Sequence, residues 1–511
     1  LREDDLYDVL AQLWAMPRVS LHKLELPKEM LTVLSADFVR EHRIVPLERR
    51  DNTLICATCD PMNFSGIEAI RYATKCDVEL QLASERDIQE ISERYFGVTV
   101  QSMIAEMAGG TGADSADDGY TIDDVRELAR EPTLINLVNL IISQAIAERA
   151  SDIHVEPFER EVKIKYRIDG ILHEMPPPPK NLQGAIISRI KIMAGMDIAE
   201  RYIPQGGHIR VNLPEARVDI RVSTVPTIHG ESVVMRLLNK SAILLSITDL
   251  GLTGVNFERF VQIIHRPYGI ILVCGPTGSG KTTTLYAALT HIYTSEKKLL
   301  TIEDPVEYEL PGVNQIPVRP KRGLTFATGL RHIVRQDPDI IMVGEVRDFE
   351  TAEIAIRAAL TGHLVFSTLH TNDAPGAVTR LVDMGVEPFL VASSTQGILA
   401  QRLVRKLCPH CKQPFRPDRI MVKDFAVNGT GVPKTMYRPA GCEDCRSRGY
   451  LGRTGVFELL LIDDRIHNMI LARASATDIR REALRTMTTM RQNGWEKICQ
   501  GITSIEEVLQ A

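Results

Sequence analysis

The chain has little of several things that narrow a protein's class at once. Aromatic residues make up only 5% of its 511 residues, too few to line a long groove with stacking platforms for single-stranded nucleic acid. Its formal net charge of −6 supplies no global positive field, so bulk DNA or RNA binding is disfavoured and no nucleic-acid partner is expected. No apolar run approaches the roughly 18–20 residues that a membrane helix requires, so any association with a membrane has to go through partners. Neither a basic n-region nor an apolar h-region follows Leu1; the chain reads as a fragment lacking its own start, without an export signal and acting in the cytosol. Nine cysteines, an odd number, fit a reducing compartment better than a disulfide framework.

What is present begins with length. A chain of 511 residues is too long for one core, and three or four domains are expected. Gly275-Pro276-Thr277-Gly278-Ser279-Gly280-Lys281-Thr282-Thr283 is a complete GxxxxGK[ST] phosphate loop. It lies between the apolar run Ile270–Cys274 and a helix-compatible run from Thr283 to Leu289. A strand that delivers glycines to a helix start lets backbone N–H groups turn toward phosphate oxygens and adds the positive end of the helix. Lys281 is expected to reach the β- and γ-phosphates of ATP, and Thr282 the magnesium ion.

Three further apolar runs end in polar clusters, as strands do when their C-terminal ends line one crevice. Leu299–Ile302 leads into Glu303-Asp304-Pro305-Val306-Glu307, Ile340–Val343 leads into Gly344-Glu345, and Leu364–Leu369 stands between His363 and His370. Gly344 occupies the place of the usual magnesium-associated Asp, so Glu345 becomes the candidate for polarising attacking water. Glu307 is a second acid expected near the γ-phosphate or the magnesium water shell, and His363 and His370 are candidate phosphate sensors. Charge developing on a transferring phosphoryl group calls for further cations. Arg331 and Arg335, one helical turn apart, and Arg221 and Arg236, on strands of the preceding module, are the candidates.

Cys408-x-x-Cys411 and Cys442-x-x-Cys445 form two knuckles with the ligand pattern of a closed tetracysteine zinc site, whose role is structural because no coordination position stays open. Cys56 and Cys59 also spell CxxC but sit in an apolar run without a second pair, and are expected to fill a core.

Composition shifts divide the chain. Residues 1–100 form an α/β module, and 101–125 a linker whose stretch 107–119 is nearly all Gly, Ala, Ser, Thr and Asp. Residues 126–240 form a second α/β module. It opens with Leu134, Val138, Ile141, Ile142 and Ala145 at helical spacing, followed by strands such as Val162–Ile168 with one basic wet face. From about 241 to 400 apolar strands alternate with helices, which implies a parallel sheet wound by helices. Residues 401–457 hold the cysteine knuckles, and 458–511 read as a helical cap.

Ala150-Ser151-Asp152-Ile153-His154-Val155-Glu156-Pro157, the phosphate loop, Thr301–Tyr308, Ile340–Asp348, Gly362–Asp373 and the four cysteines, in this order, resemble the secretion superfamily ATPases. Within that group the chain looks most like the type II secretion assembly ATPases, relatives of the type IV pilus motors. The resemblance implies an α/β fold with a RecA-like P-loop core, preceding α/β modules of which 126–240 is PAS-like, a zinc-binding tetracysteine insert and a C-terminal helical cap. It implies an ATP-, Mg2+- and Zn2+-dependent homo-hexamer, peripheral to the cytoplasmic face of the inner membrane, that drives pseudopilus assembly and protein export. It implies docking of residues 1–100 on the cytoplasmic domain of an inner-membrane protein L, and contact with other inner-membrane platform proteins. Arg221, Arg236, Arg331 and Arg335 match the family's nucleotide-contacting arginines, with Arg453 as a fifth. Some relatives bind cyclic di-GMP through such an amino-terminal domain, but its Arg-Leu-Gly-type opening is not visible here and the ligand is not carried over. The competing expectations are a type IV pilus or DNA-uptake motor, a nucleic-acid translocase with a zinc ribbon, and a nucleotide-sensing scaffold without turnover.

Overall fold

The computed structural model describes residues 3–14, 16–21, 24, 26–27, 29–30, 33–96, 103–104, 128–212, 217–239, 245–418, 425 and 435–511. The expected linker stretch 107–119 lies outside the described residues. Strands β1 (Ile44–Arg50), β2 (Thr53–Thr58) and β3 (Asp77–Leu82) form a small sheet in that order, its first pair antiparallel and its second parallel. The helices Phe64–Thr74 and Glu85–Phe96 close its core. Cys56 is fully buried there and Cys59 packs against the same cluster, as expected of core residues. Burial pushes the Cys56 thiol up to about 12, far from a reactive thiolate.

Strands β4 (Asp152–Pro157), β5 (Val162–Ile168), β6 (Ile171–Glu174), β7 (Gln205–Asn212), β8 (Arg217–Thr227) and β9 (Gly230–Asn239) make an antiparallel sheet in the order β6-β5-β4-β9-β8-β7. The period-two pattern is realised in β5, where Val162, Ile164, Tyr166 and Ile168 are buried and the intervening Lys163, Lys165 and Arg167 are not. The helix Pro132–Ala147 lays Leu134, Val138, Ile141, Ile142 and Ala145 onto that buried face.

The third sheet holds β10 (Gly269–Cys274), β11 (Leu299–Glu303), β12 (Asn314–Pro317), β13 (Ile340–Val343), β14 (Leu364–Leu369) and β15 (Thr395–Leu407); β16 (Gln413–Phe415) and β17 (Met436–Arg438) form a separate ribbon, and β18 (Tyr450–Leu461) returns to the third sheet. Its order is β12-β11-β13-β14-β10-β15-β18, parallel throughout except for the antiparallel β15/β18 pair. Every residue of β10, β11, β13 and β14 is buried, the signature of strands covered on both faces and the reason their sequences are unbroken apolar runs. The helices Gly254–Ile264 and Lys281–Ile292 cover one face, and Phe349–Leu360 and Ala374–Asp383 the other.

Two boundaries read from composition shift. β15 and β18 are both strands of the third sheet, so the cysteine knuckles occupy an excursion from 408 to 449 narrower than the expected 401–457. The C-terminal helices Asp464–Leu471, Ala476–Ala483, Met490–Cys499 and Ile505–Gln510 begin only after β18.

Tyr166, fully buried, donates its hydroxyl to the Ile141 carbonyl at 2.8 Å and so ties β5 to the helix above it. Tyr166→Phe removes that bond while the carbonyl keeps its place in the helix ladder, and about 0.5–1.5 kcal/mol of local stability should be lost. Hydrogen exchange across residues 134–168 measures this, and unchanged protection would show that the bond is not a tie.

Candidate functional site

The phosphate loop leaves β10 at Cys274 and enters its helix at Lys281. Gly275 has φ +152°, and a Cβ built on it would stand 2.5 Å from Ser279 Oγ and 2.6 Å from the Gln401 carbonyl oxygen, so the turn closes only with glycine. Lys281 is 9% exposed, and its Nζ donates to the carbonyls of Gly275 at 2.9 Å and Pro276 at 3.0 Å. Burial lowers its pKa, an effect that the charge of Glu345 partly opposes, and no ion pair joins it to a carboxylate among the described residues. Ser279 Oγ is buried in the same loop without a hydrogen-bond partner. A buried ammonium hydrogen-bonded to carbonyls, together with a buried hydroxyl that has no partner among the described residues, suits a polyanion, and these residues fit the phosphates of ATP.

The C-terminal ends of the parallel strands bring the acids to this loop. Glu345, two residues beyond β13, pairs through one carboxylate oxygen with Arg347 at 2.5 Å and through the other with His370 Nε2 at 3.2 Å. Glu303, at the end of β11, is 2% exposed and accepts from the hydroxyls of Tyr286 and Thr301 and from Gln315 Nε2 at 3.1 Å. Burial and the Glu303 charge raise the Tyr286 pKa well above its ordinary value, so its hydroxyl remains a donor. Asp304–Pro305 is a cis peptide, and Glu307 follows it to face Arg221 at 3.3 Å.

Arg221 comes from β8 of the second sheet and also donates to the Val306 carbonyl at 2.8 Å. Arg236, from β9, is held by Asp152 at 2.9 Å, which raises its pKa. A cavity of about 880 Å³ lies between the two sheets; Thr277, Gly278, Gly280, Lys281, Thr282 and Thr283 line it with Glu303, Glu307, Glu345 and His370. Arg149, Arg221, Arg236, Arg347 and Arg453 complete its wall. It falls within the size range of small-molecule sites, with an unusual density of cations.

Other candidates lie elsewhere. His363 precedes β14 at the opposite end of the sheet, its ring hydrogen-bonded to Ala358 O at 2.9 Å; a six-residue strand separates its two ends by roughly 20 Å. Arg331 ion-pairs with Glu350, and Arg335 lies beyond the end of the helix Phe326–Ile333; both are exposed and absent from the wall of the cavity. Sequence reasoning overlooked Arg149, Arg347 and Glu303 as wall residues. Glu303 and Arg347 stood within the quoted strand-end segments and could have been found there, whereas Arg149 has no such signal.

The four knuckle cysteines meet as expected. Their sulfurs lie within 4.8 Å of one another, with Cys408–Cys442, Cys411–Cys445 and Cys442–Cys445 each at 3.7 Å. Zinc–sulfur bonds of about 2.3 Å in a tetrahedron put sulfurs roughly 3.8 Å apart, so the spacing fits zinc. Backbone N–H groups of Gly441, Cys442 and Gly449 point at Cys411 and Cys445 sulfurs at 3.1–3.2 Å, as thiolate ligands require.

A family model described as type II/IV secretion system protein matches residues 127–510, which spans the second and third sheets, the phosphate loop and the knuckles. The chain belongs to this family. As a secretion-family ATPase it is 46% identical over 99% of its length to the type II secretion system protein E of Xanthomonas campestris, covering 90% of that protein. It is 50% identical to the type II secretion system ATPase E of Vibrio cholerae over 78% of this chain and 80% of that one. The type IV pilus assembly ATPase PilB of Myxococcus xanthus is 44% identical over 100% of this chain and 91% of its own. A second model, for the MshEN domain, matches residues 14–102. Among solved structures, the Legionella pneumophila ATPase DotB shares the fold, with a TM-score of 0.55 at 21% identity over 73% of this chain and 95% of that chain. The pilus retraction motor PilT, solved with bound ADP, gives a TM-score of 0.50 at 29% identity over 72% and 95%.

Lys281→Ala should abolish ATP hydrolysis while the circular dichroism spectrum stays that of the parent, because the loop backbone does not depend on the side chain; full turnover would refute the site. Metal analysis should return about one zinc per chain, and Cys408→Ser should release it; a variant retaining stoichiometric zinc would contradict the four-sulfur centre.

Proposed function

We propose that this secretion-family ATPase is the motor of a type II secretion system, hydrolysing ATP to drive pseudopilus assembly and protein export from the cytoplasmic face of the inner membrane. The single observation that carries the motor mechanism is the wall shared by two sheets: Lys281 and Glu345 come from the third sheet, Arg221 and Arg236 from the second. In this reading residues 241–400 are a RecA-like core, 1–100 a docking module for the cytoplasmic domain of protein L, 126–240 a PAS-like lobe, and 458–511 a helical cap. The working assembly is a homo-hexamer in contact with further inner-membrane platform proteins. Across its interfaces the exposed Arg331 and Arg335 reach a neighbour's nucleotide.

Lys281 and the loop N–H groups hold the phosphates, and the arginines of the second sheet neutralise charge that grows on the equatorial oxygens. Glu345 orients the water that attacks the γ-phosphorus, and His370 and Arg347 hold the carboxylate in place. Thr282 is the loop residue suited to hold magnesium, with Glu307 near its water shell; the ion supplies further neutralisation of the phosphate oxygens. No helix among the described residues is long and apolar enough to cross a membrane, so attachment in this proposal goes through partner proteins.

A second reading, a type IV pilus assembly motor, is favoured by the full-length similarity to PilB. Complementation separates the two: restored export in a strain lacking its secretion ATPase supports the first, restored piliation alone the second. Glu345→Gln should keep ATP binding but lower turnover by roughly a hundredfold or more, and wild-type turnover would remove Glu345 from its role. Specific activity should rise with protein concentration as rings form; a flat profile in a fully active enzyme would exclude arginines shared between subunits.

A further inference from the structure

Gln401 is 1% exposed, a primary amide in the apolar interior of the third sheet. It lies on β15 one residue past Ala400, which pairs with Cys274, the last residue before the phosphate loop. Both ends of its amide are engaged. Nε2 donates to the Ser279 carbonyl at 2.6 Å, and Oε1 accepts from the Thr284 hydroxyl at 2.8 Å, itself only 1% exposed. The side chain therefore bridges the last turn of the loop and the first turn of the helix.

A trans peptide points its C=O and its N–H in opposite directions. With the Ser279 oxygen tied down toward β15, the N–H of Gly280 in the same peptide unit is turned the other way. The residue that follows the peptide is a glycine at φ +84°, for which rotation of the plane carries no Cβ penalty, so the loop's own geometry leaves this peptide free to turn. A reversed peptide would set a carbonyl oxygen where an N–H is needed for an anion. The fit is close: a Cβ on Gly280 would come within 3.2 Å of Gln401 Nε2.

We propose that Gln401 is a positioning residue that locks the Ser279–Gly280 peptide in its anion-binding orientation, with Thr284 fixing which end of the amide faces the loop. The Thr284 hydroxyl donates to the amide oxygen, which leaves the nitrogen for Ser279. This inference rests on the ATPase reading of the loop. It predicts that the residue governs nucleotide affinity, while Glu345 and the arginines, which it does not touch, continue to set the rate of the bound complex.

Gln401→Glu removes the donor at constant shape while Thr284 can still donate to it. KM for ATP should rise by about tenfold, with kcat at saturating ATP within about threefold of the parent and the same rise in Kd for a fluorescent ATP analogue. Gln401→Met, which removes both bonds without adding charge, should move KM in the same direction and decides the matter if the Glu variant does not fold. A parental KM in the folded variant, or a loss confined to kcat, overturns the proposal. Lys281→Ala is measured alongside: if it too binds the analogue normally, the nucleotide reading has failed, whereas loss of binding in Lys281→Ala with parental KM in the Gln401 variants sinks the lock alone.

Discussion

The constraint around which the rest is arranged is a lysine ammonium held in the interior and hydrogen-bonded to the backbone carbonyls of Gly275 and Pro276. Burying Lys281 this way is unfavourable, as the downward pull on its pKa shows, and a carboxylate beside it would relieve the cost. Glu345 gives that relief only in part, since its oxygens pair with Arg347 and His370, and Glu307 pairs with Arg221. The crevice thus keeps at its floor a cation with no ion pair among the described residues, while Glu345 and Glu307 pair with cations of the wall, an arrangement suited to a triphosphate. Backbone turned by glycine and an orphaned Ser279 hydroxyl add neutral donors to the same end.

From that floor the route to motion is electrostatic. Arg221 already bridges the two sheets through Glu307 and the Val306 carbonyl, and Asp169, in the turn after β5, accepts from the Gly452 N–H at 3.0 Å and faces Arg453. The first contact joins the second sheet to the segment that follows β11, and the second joins it to β18, at the edge of the third sheet beyond β15. Partly exposed pairs of this kind are individually weak. In the motor reading a bound polyanion would recruit their arginines and its loss would return them to their carboxylates, so the charge of one phosphoryl group would tip the balance between two arrangements.

Much of this was legible in the chain because the informative signals are local. Ile270–Cys274, Ile340–Val343 and Leu364–Leu369 were readable as strands since a parallel strand buried on both faces needs an unbroken apolar run, and the phosphate loop announces itself by glycine spacing. The four cysteines converge because their two knuckles sit at either end of one excursion. Residues whose meaning depends on register were not legible. His363 and His370 bracket one strand symmetrically in sequence, yet only the C-terminal one reaches the crevice. Arg331 and Arg335 look like one helical face, but the helix ends at Ile333. Gln401 is invisible because its partners lie 117 and 122 positions away, and nothing in its neighbourhood marks a glutamine as different from any other.

The same strand links the cysteine excursion to the nucleotide loop. β15 passes beneath the phosphate loop at Gln401 and, six residues on, ends at Leu407, directly before Cys408. Its partner β18 starts at Tyr450, just after the second knuckle, and pairs with it from Leu407 back to Gly397. An antiparallel pair of this length whose far end was an open loop of about forty residues would bear a large closure entropy and an end free to fray. A zinc ion held by the four sulfurs at that end would cross-link the loop, and the restraint would fall on the strand that holds the phosphate loop's peptide. A metal held there, with no open coordination position, would fix the end of the strand on which the phosphate loop rests.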